Sequence, residues 1–226
     1  MFKHELVEAL DIHAVEIDGK RFYINESGDR FPSVTTFLSA SLDKSGLDEW
    51  RERVGEEEAN KISGRASRRG EALHLACEKY LLNEMDFKMR QQMMPTTKEL
   101  FLQLKPHLDK SIGNIYAIEQ PLYSDNLRIA GRVDCIAEWD NELAVIDFKT
   151  STKEKLEEYI QNYFQQCTCY AEMYEEITGE PIEKIVVAIA TEEGFAQIFV
   201  RKKQIYLPQL KQTISNYYLT NEVTML

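Results

Sequence analysis

The chain has 226 residues, 43% of them hydrophobic, and a formal net charge of −11, which suits one large domain or two small ones with an ordinary core. No apolar run approaches the length of a membrane span, and the N-terminal MFKHELVEALD lacks both the apolar core of a signal peptide and the arginines of a transit peptide. The acidic balance argues against bulk attraction to nucleic acid but leaves a local basic site open.

The first predicted element is a hairpin, residues 13–17 and 21–25, turning at Asp18-Gly19, a pair that accepts positive φ. The stretch from Phe31 to Ser39 then leads into a helical section with helices over about 46–62, 64–83 and 96–111. Within it the acid run Glu56 to Glu58 is followed by Lys61, Arg65, Arg68 and Arg69 with no intervening acid. That stretch reads either as a solvated helix face or as a phosphate clamp. Gly70 and His74 stand one helical turn apart and share a face. A lone helical histidine is more often a packing or surface residue than a ligand.

Strands are predicted at 115–123, 127–138 and 142–149. Glu119 interrupts the first, where an acid also fits as a solvent-facing alternate. The second and third read as one hairpin around Asp140-Asn141. Pairing 139 with 142 and counting outward sets Asp134 opposite Asp147, with Cβ atoms about 5 Å apart, and Lys149 on the same face. The other face, Val133, Cys135 and Ala137 against Ala144, Ile146 and Phe148, is apolar. Two facing carboxylates in an apolar sheet repel unless a cation lies between them, and oxygen donors suit a hard divalent ion. The plainer reading is a surface hairpin with Arg132 as counter-ion. Alanine at either aspartate should relieve repulsion, so that stability without metal holds or rises.

A long helix is predicted over about 155–178, with an apolar stripe of Leu156, Ile160, Phe164, Cys167, Ala171, Tyr174 and Ile177, closed by Gly179 and Pro181. Gln166 and Tyr170 lie one turn apart at its border, where packing alone would also account for the tyrosine. Strands at 184–191 and 195–200 and a helix at 203–219 complete the chain. Cys77, Cys135, Cys167 and Cys169 form no metal-type CxxC pair and are too scattered for an iron–sulfur cluster, so they read as buried thiols of a cytosolic protein. No linker or repeat divides the sequence. The expectation is one domain over 1–226, with a hairpin and helical section to 112 and a sheet core from 113. The fold class is α/β: a mixed central β-sheet flanked by helices.

Five elements in order, Gly70 to His74, Glu119, Gly131 to Asp134, Asp147 to Lys149, and Gln166 to Tyr170, resemble the PD-(D/E)XK nuclease superfamily and its RecB-like exonuclease branch. The stretch Pro32 to Thr36 is similar to the mitochondrial genome maintenance exonucleases and their phage relatives. Val133 stands where the superfamily name has proline. The resemblance covers about residues 31–175 and implies a restriction-endonuclease-like core. It implies Mg²⁺ or Mn²⁺ held by Asp134, Asp147 and the Phe148 carbonyl, with His74 as a further ligand and Glu119 assisting. Lys149 would orient or deprotonate the attacking water, while Gln166 and Tyr170 position DNA or the lysine. Arg65, Arg68, Arg69, Ser33, Thr35 and Lys153 are expected to contact the nucleic acid backbone.

The resulting expectation is a DNA exonuclease acting on single strands or free ends, working beside replication or recombination proteins in the cytoplasm of a bacterial or phage-infected cell. The alternatives are a structure-specific endonuclease and a non-cleaving nucleic-acid-binding protein. The binding protein usually lacks an acid or the lysine, and none is missing here.

Overall fold

The computed structural model describes residues 1–42 and 44–221. In chain order the elements are β1 (Lys3–His4), β2 (Ile12–Ile17), β3 (Lys20–Asn25), β4 (Arg30–Pro32), α1 (Val34–Ser41), α2 (Ser45–Val54), α3 (Glu56–Leu81), α4 (Phe87–Gln92) and α5 (Pro95–Ser111). Then come β5 (Ile112–Ser124), β6 (Ile129–Trp139), β7 (Glu142–Ser151), a 3-10 turn (Glu157–Ile160), α6 (Gln161–Thr178), β8 (Lys184–Thr191), β9 (Ala196–Lys202), a second 3-10 turn (Lys203–Ile205) and α7 (Leu207–Asn221). None of the described helices is long and apolar enough to cross a membrane.

Six strands form one mixed sheet in the order β1-β5-β6-β7-β8-β9, and β2-β3-β4 form a small antiparallel sheet beside it. The β7–α6–β8 unit is a parallel crossover; the β5–β6, β6–β7 and β8–β9 pairs are antiparallel. Both faces of the large sheet are covered. On β8, Ile185, Val187 and Ile189 pack with α1, α6 and α7 residues such as Phe37, Phe164 and Leu210. The alternate residues Val186, Ala188 and Ala190 pack with Leu73, Cys77 and Leu104 of α3 and α5. A strand buried on both sides needs apolar residues at every position, which is why β8 reads as a continuous apolar run. Helices α3 and α5 of the helical section thus cover one face of the sheet, and α1, α6 and α7 the other. All four cysteines are free and buried.

Both predicted hairpin turns form as the φ argument requires, with Asp18 at 51° and Gly19 at 70°, and Asp140 at 50° and Asn141 at 62°. The helical section departs from expectation. The break falls at Gly55 (φ 86°), and α3 then runs straight through Gly64 for 26 residues, where a break near residue 63 was expected. Only a glycine supports that φ cheaply, while a helical glycine costs about 1 kcal/mol that tertiary burial absorbs. Glu56, Glu57 and Glu58 occupy the first turn of α3, where the helix dipole favours acids. The predicted helix over 155–178 begins as a 3-10 turn, and Leu156 is exposed ahead of it rather than part of its buried stripe.

Candidate active site

The β6–β7 ladder runs from Trp139 opposite Glu142 to Cys135 opposite Ile146, in the expected register, and stops one rung short of Asp134 and Asp147. Instead of a backbone rung, Asp134 Oδ2 accepts a hydrogen bond from the Phe148 amide at 2.8 Å. Beyond this point β6 stays with β5 and β7 with β8. The split also disturbs the side-chain alternation. Cys135, Ala137, Ala144, Ile146 and Phe148 share the core against α3 and α5 as expected, but Val133 packs in the other core, against α6.

Glu119 is paired into the site by an unusual backbone. It lies inside β5 with a φ of 46°, a left-handed conformation that costs a non-glycine residue about 1–3 kcal/mol and persists only when the surroundings dictate it. Its carboxylate bridges Arg132 Nε at 2.9 Å and His74 Nδ1 at 3.7 Å. His74, on α3, lies with Nδ1 3.3 Å from Asp134 Oδ1. One donor atom from each of His74, Glu119 and Asp134 can be chosen so that all lie within 4.8 Å of one another, as metal ligands do. Asp147 stands outside that trio.

Asp147 is 1% exposed and faces Lys149. Lys149 Nζ donates to Asp147 Oδ1 at 2.6 Å. Oδ2 lies equally near the ammonium but in a direction no hydrogen bond uses, and it is buried with no hydrogen-bond partner among the described residues. The Lys149 ammonium also lies 5.2 Å from the centre of the Tyr163 ring, a cation–π distance.

Burial and neighbouring charge set the protonation of these groups. Burial disfavours a charged His74, but Asp134 first and Glu119 second outweigh it and push the imidazole up to about 10. Burial would likewise raise Asp134, yet the His74 charge, Lys149 and the Phe148 amide hold it below the usual carboxylate value. For Asp147 burial wins: helped by repulsion from Asp134 and resisted by Lys149, it lifts the carboxyl to about 6. Burial opposes the Lys149 charge, but Asp147 and Asp134 raise the ammonium above its ordinary value.

His74, Glu119, Arg132, Asp134 and Lys149 open onto a cavity of about 480 Å³ walled by Thr35, Leu38, Ser39 and Leu42 on one side and by Asn162, Tyr163, Gln166 and Tyr170 on another, while Asp147 lies outside its lining. Tyr170 is almost fully buried and makes no protein hydrogen bond among the described residues. It packs on Gly131, where a Cβ would sit 2.8 Å from its hydroxyl and 3.0 Å from Val34 Cγ2. The glycine of the Gly131–Asp134 run is thus a seat for the tyrosine of the Gln166–Tyr170 pair, which ties two distant motifs together. A larger cavity of about 610 Å³ beside α6 and α7 has no comparable convergence. Lys203 takes up its Glu172 and Glu175, and Ser124 and two backbone amides take up Glu176.

The expected backbone contacts divide. Thr35 lines the cavity, but Ser33 is buried as the N-cap of α1, accepting from the Thr36 amide at 3.1 Å. Lys153, on the exposed connection after β7, lies outside the cavity lining, as do Arg65, Arg68 and Arg69. Arg69 is engaged within the protein: it bridges Glu192 at 2.6 Å and donates to Thr150 Oγ1 at 3.2 Å, joining α3 to β7 and the β8–β9 turn. Arg65 stays mostly exposed, 3.5 Å from the same Glu192. Sequence reasoning missed Asn162 and Tyr163, and treated Arg132 only as a counter-ion. The spacing of Tyr163 before Gln166 offered a signal, since i and i+3 share a helix face.

A family model described as the PD-(D/E)XK nuclease superfamily matches residues 19–217. The human "Mitochondrial genome maintenance exonuclease 1" is 29% identical over 140 residues, covering 59% of this chain and 40% of its own length. An ATP-dependent helicase/nuclease component of Clostridium botulinum is 32% identical over 77 residues, 34% of this chain and 6% of that protein. A crystal structure of a protein from Eubacterium rectale is similar with a TM-score of 0.48 at 12% identity, over 70% of this chain and 69% of the other. The chain thus spans about 40% of the length of the mitochondrial relative it matches.

Proposed function

This chain belongs to the PD-(D/E)XK nuclease superfamily, and from that premise we propose that it is a Mg²⁺- or Mn²⁺-dependent DNA exonuclease, hydrolysing phosphodiester bonds on single strands or at free ends. One observation carries the reading: the His74, Glu119 and Asp134 donors converge within 4.8 Å beside the buried Asp147–Lys149 pair, in an open cleft.

The residues fit a hard divalent ion. They offer carboxylate oxygens and one imidazole nitrogen, and the buried Oδ2 of Asp147, although close to the Lys149 ammonium, has no hydrogen-bond partner among the described residues and so keeps a lone pair free for a cation. Asp134, Asp147, His74 and Glu119 would hold the ion together with the Phe148 carbonyl. When bound, it would neutralise charge on the scissile phosphate and acidify a water for attack. To join the ligand set His74 must lose the proton it shares with Asp134 and Glu119, so metal affinity should rise with pH.

The remaining work falls to this chain's own groups. Lys149, raised above the ordinary lysine value and therefore charged, orients the attacking water and offsets charge developing on the phosphate. Tyr163 and Asp147 fix the ammonium between a ring face and a carboxylate. Gln166 and Tyr170 present their polar ends to the cleft and position the strand. Arg132, at the mouth, meets the incoming backbone.

Degradation of circular against linear single-stranded DNA, each with Mg²⁺ or Mn²⁺ and with an Asp147→Asn control, tests the proposal. Loss of the linear substrate alone is expected. Cutting of the circle would make the enzyme an endonuclease. Binding without any cutting in either metal would make it a DNA-binding protein.

A further inference from the structure

Helix α3 presents His74 to the cleft on one face and leaves another face uncovered. There Leu75 and Lys79 of α3, with Met89 and Met93 of the α4 segment and Met94 at the head of α5, wall a cavity of about 290 Å³. A second cavity of about 100 Å³ continues from it, shares Met85 and Met93, and is closed by Leu102 and Phe101 of α5. The groove is open to solvent: Leu75 is 52% exposed, Met94 68% and Leu102 50%.

Two features identify what would fill it. Exposed methionines are flexible, polarizable side chains that mould to apolar partners, and here Met89 of α4 and Met94 at the head of α5 stand together with the half-buried Met93 rather than as scattered singles. The charged residues among the lining are Lys79, Arg90, Lys98 and Lys105, all cations, in a chain whose net charge is −11. Lys79 and Lys105 have carboxylate partners of their own, Glu84 and Asp109, and Arg90 donates to the Met85 carbonyl. Lys98 has no ion-pair partner among the described residues.

We propose that this groove docks an acidic amphipathic segment of a partner protein, its apolar residues on the methionines and its carboxylates on the basic rim. Nucleic acid would also answer the charge, but the open floor is methionine and leucine rather than stacking aromatics. The faces of Tyr80 are already taken by Phe2, Phe101 and Lys105. Because the groove lies on a different face of α3 from His74, a docked segment would recruit the protein while leaving the cleft open.

The test uses the full chain and a fluorescent 14-residue helical peptide carrying leucines on one face and glutamates on the other, with a lysine-for-glutamate peptide as control. Fluorescence anisotropy should give micromolar binding of the acidic peptide and at least roughly ten-fold weaker binding of the basic one. Met89→Glu with Met94→Glu, both at exposed positions, should weaken the acidic peptide about ten-fold or more. Lys98→Glu should narrow the preference several-fold, and both variants should keep the nuclease rate and the wild-type melting temperature. Four results would overturn the proposal. They are no preference between the peptides, self-association of the wild type abolished by the methionine variant without peptide binding, binding of anionic vesicles in place of peptide, or loss of oligo(dT) affinity in either variant.

Discussion

On one bank of the cleft Asp134 accepts from the Phe148 amide, faces His74, and is held below the usual carboxylate value. Outside the cleft lining Asp147 is buried against Lys149, keeps one oxygen without a hydrogen bond, and is pushed up to about 6. The same residue type, one rung beyond the same hairpin ladder, thus meets opposite surroundings. Asp134 is electrostatically satisfied before any cation arrives, whereas Asp147 carries the cost of burial and gains most from one. The symmetric pair expected from register alone becomes an asymmetric site.

Activity should obscure this difference and stability should reveal it. Asp134→Asn and Asp147→Asn should each lower the rate about a thousand-fold or more, since several kcal/mol of charge stabilisation depend on the bound cation. A variant with near-normal turnover would remove its aspartate from the site. Lys149→Ala should cost about a hundred- to a thousand-fold in rate, because an ammonium offsets charge in the transition state without being a ligand. Calorimetric titration with Mn²⁺ should then find affinity unchanged or increased, Asp147 having lost its competing partner. A large loss would mean that Lys149 organises the ligands.

Urea unfolding in chelator at pH 7.5 separates the two aspartates. Asp147→Asn should gain about 1–3 kcal/mol, while Asp134→Asn should lose a similar amount by stranding His74 and weakening the Phe148 amide bond. Losing either acid relieves repulsion, but at Asp134 the lost His74 and Phe148 contacts should outweigh that relief, so a rise in stability is expected for Asp147→Asn only. The pH dependence follows with its sign. A raised folded pKa contributes stability that is complete below the unfolded value and is lost as pH rises through the folded one. Without metal the wild type should accordingly lose stability from about pH 4 to 6 as Asp147 ionises, and again from about 6.5 towards 10 as His74 discharges. Asp147→Asn should remove the first decline and keep the second. Identical profiles would refute the asymmetry.

The smallest effect lies at the margin. Arg69→Ala should leave the salt dependence of DNA binding nearly unchanged and cost about 1 kcal/mol of stability through the lost Glu192 and Thr150 contacts. A slope reduced by about 0.7 would instead restore Arg69 as a phosphate contact.

Much of this was legible in the chain. The Asp140-Asn141 turn announced itself because two successive positive φ values restrict the residue types, and a two-residue turn fixes register, so the ladder to Cys135 and Ile146 could be counted without coordinates. The ordered motifs named the family, and the apolar run of β8 declared a strand buried on both sides. Less legible were the residues whose roles depend on distant partners. The basic stretch looked uniform in sequence, yet Arg69 is claimed by Glu192, far along the chain, while Arg65 stays mostly exposed. Ser33 looked like a phosphate contact and is a helix cap.

Local sequence determines turns, strand register and which residue types can supply oxygen ligands, because those depend on φ preferences and short-range spacing. Tertiary structure alone decided that the ladder ends before the aspartates, that Glu119 bends into a left-handed conformation to reach His74, and that Gly131 seats Tyr170. It also set the two carboxyls on opposite sides of their ordinary value. The reason is physical: burial and Coulomb interactions act over a few ångströms in space between residues far apart in the chain, and no local pattern encodes them.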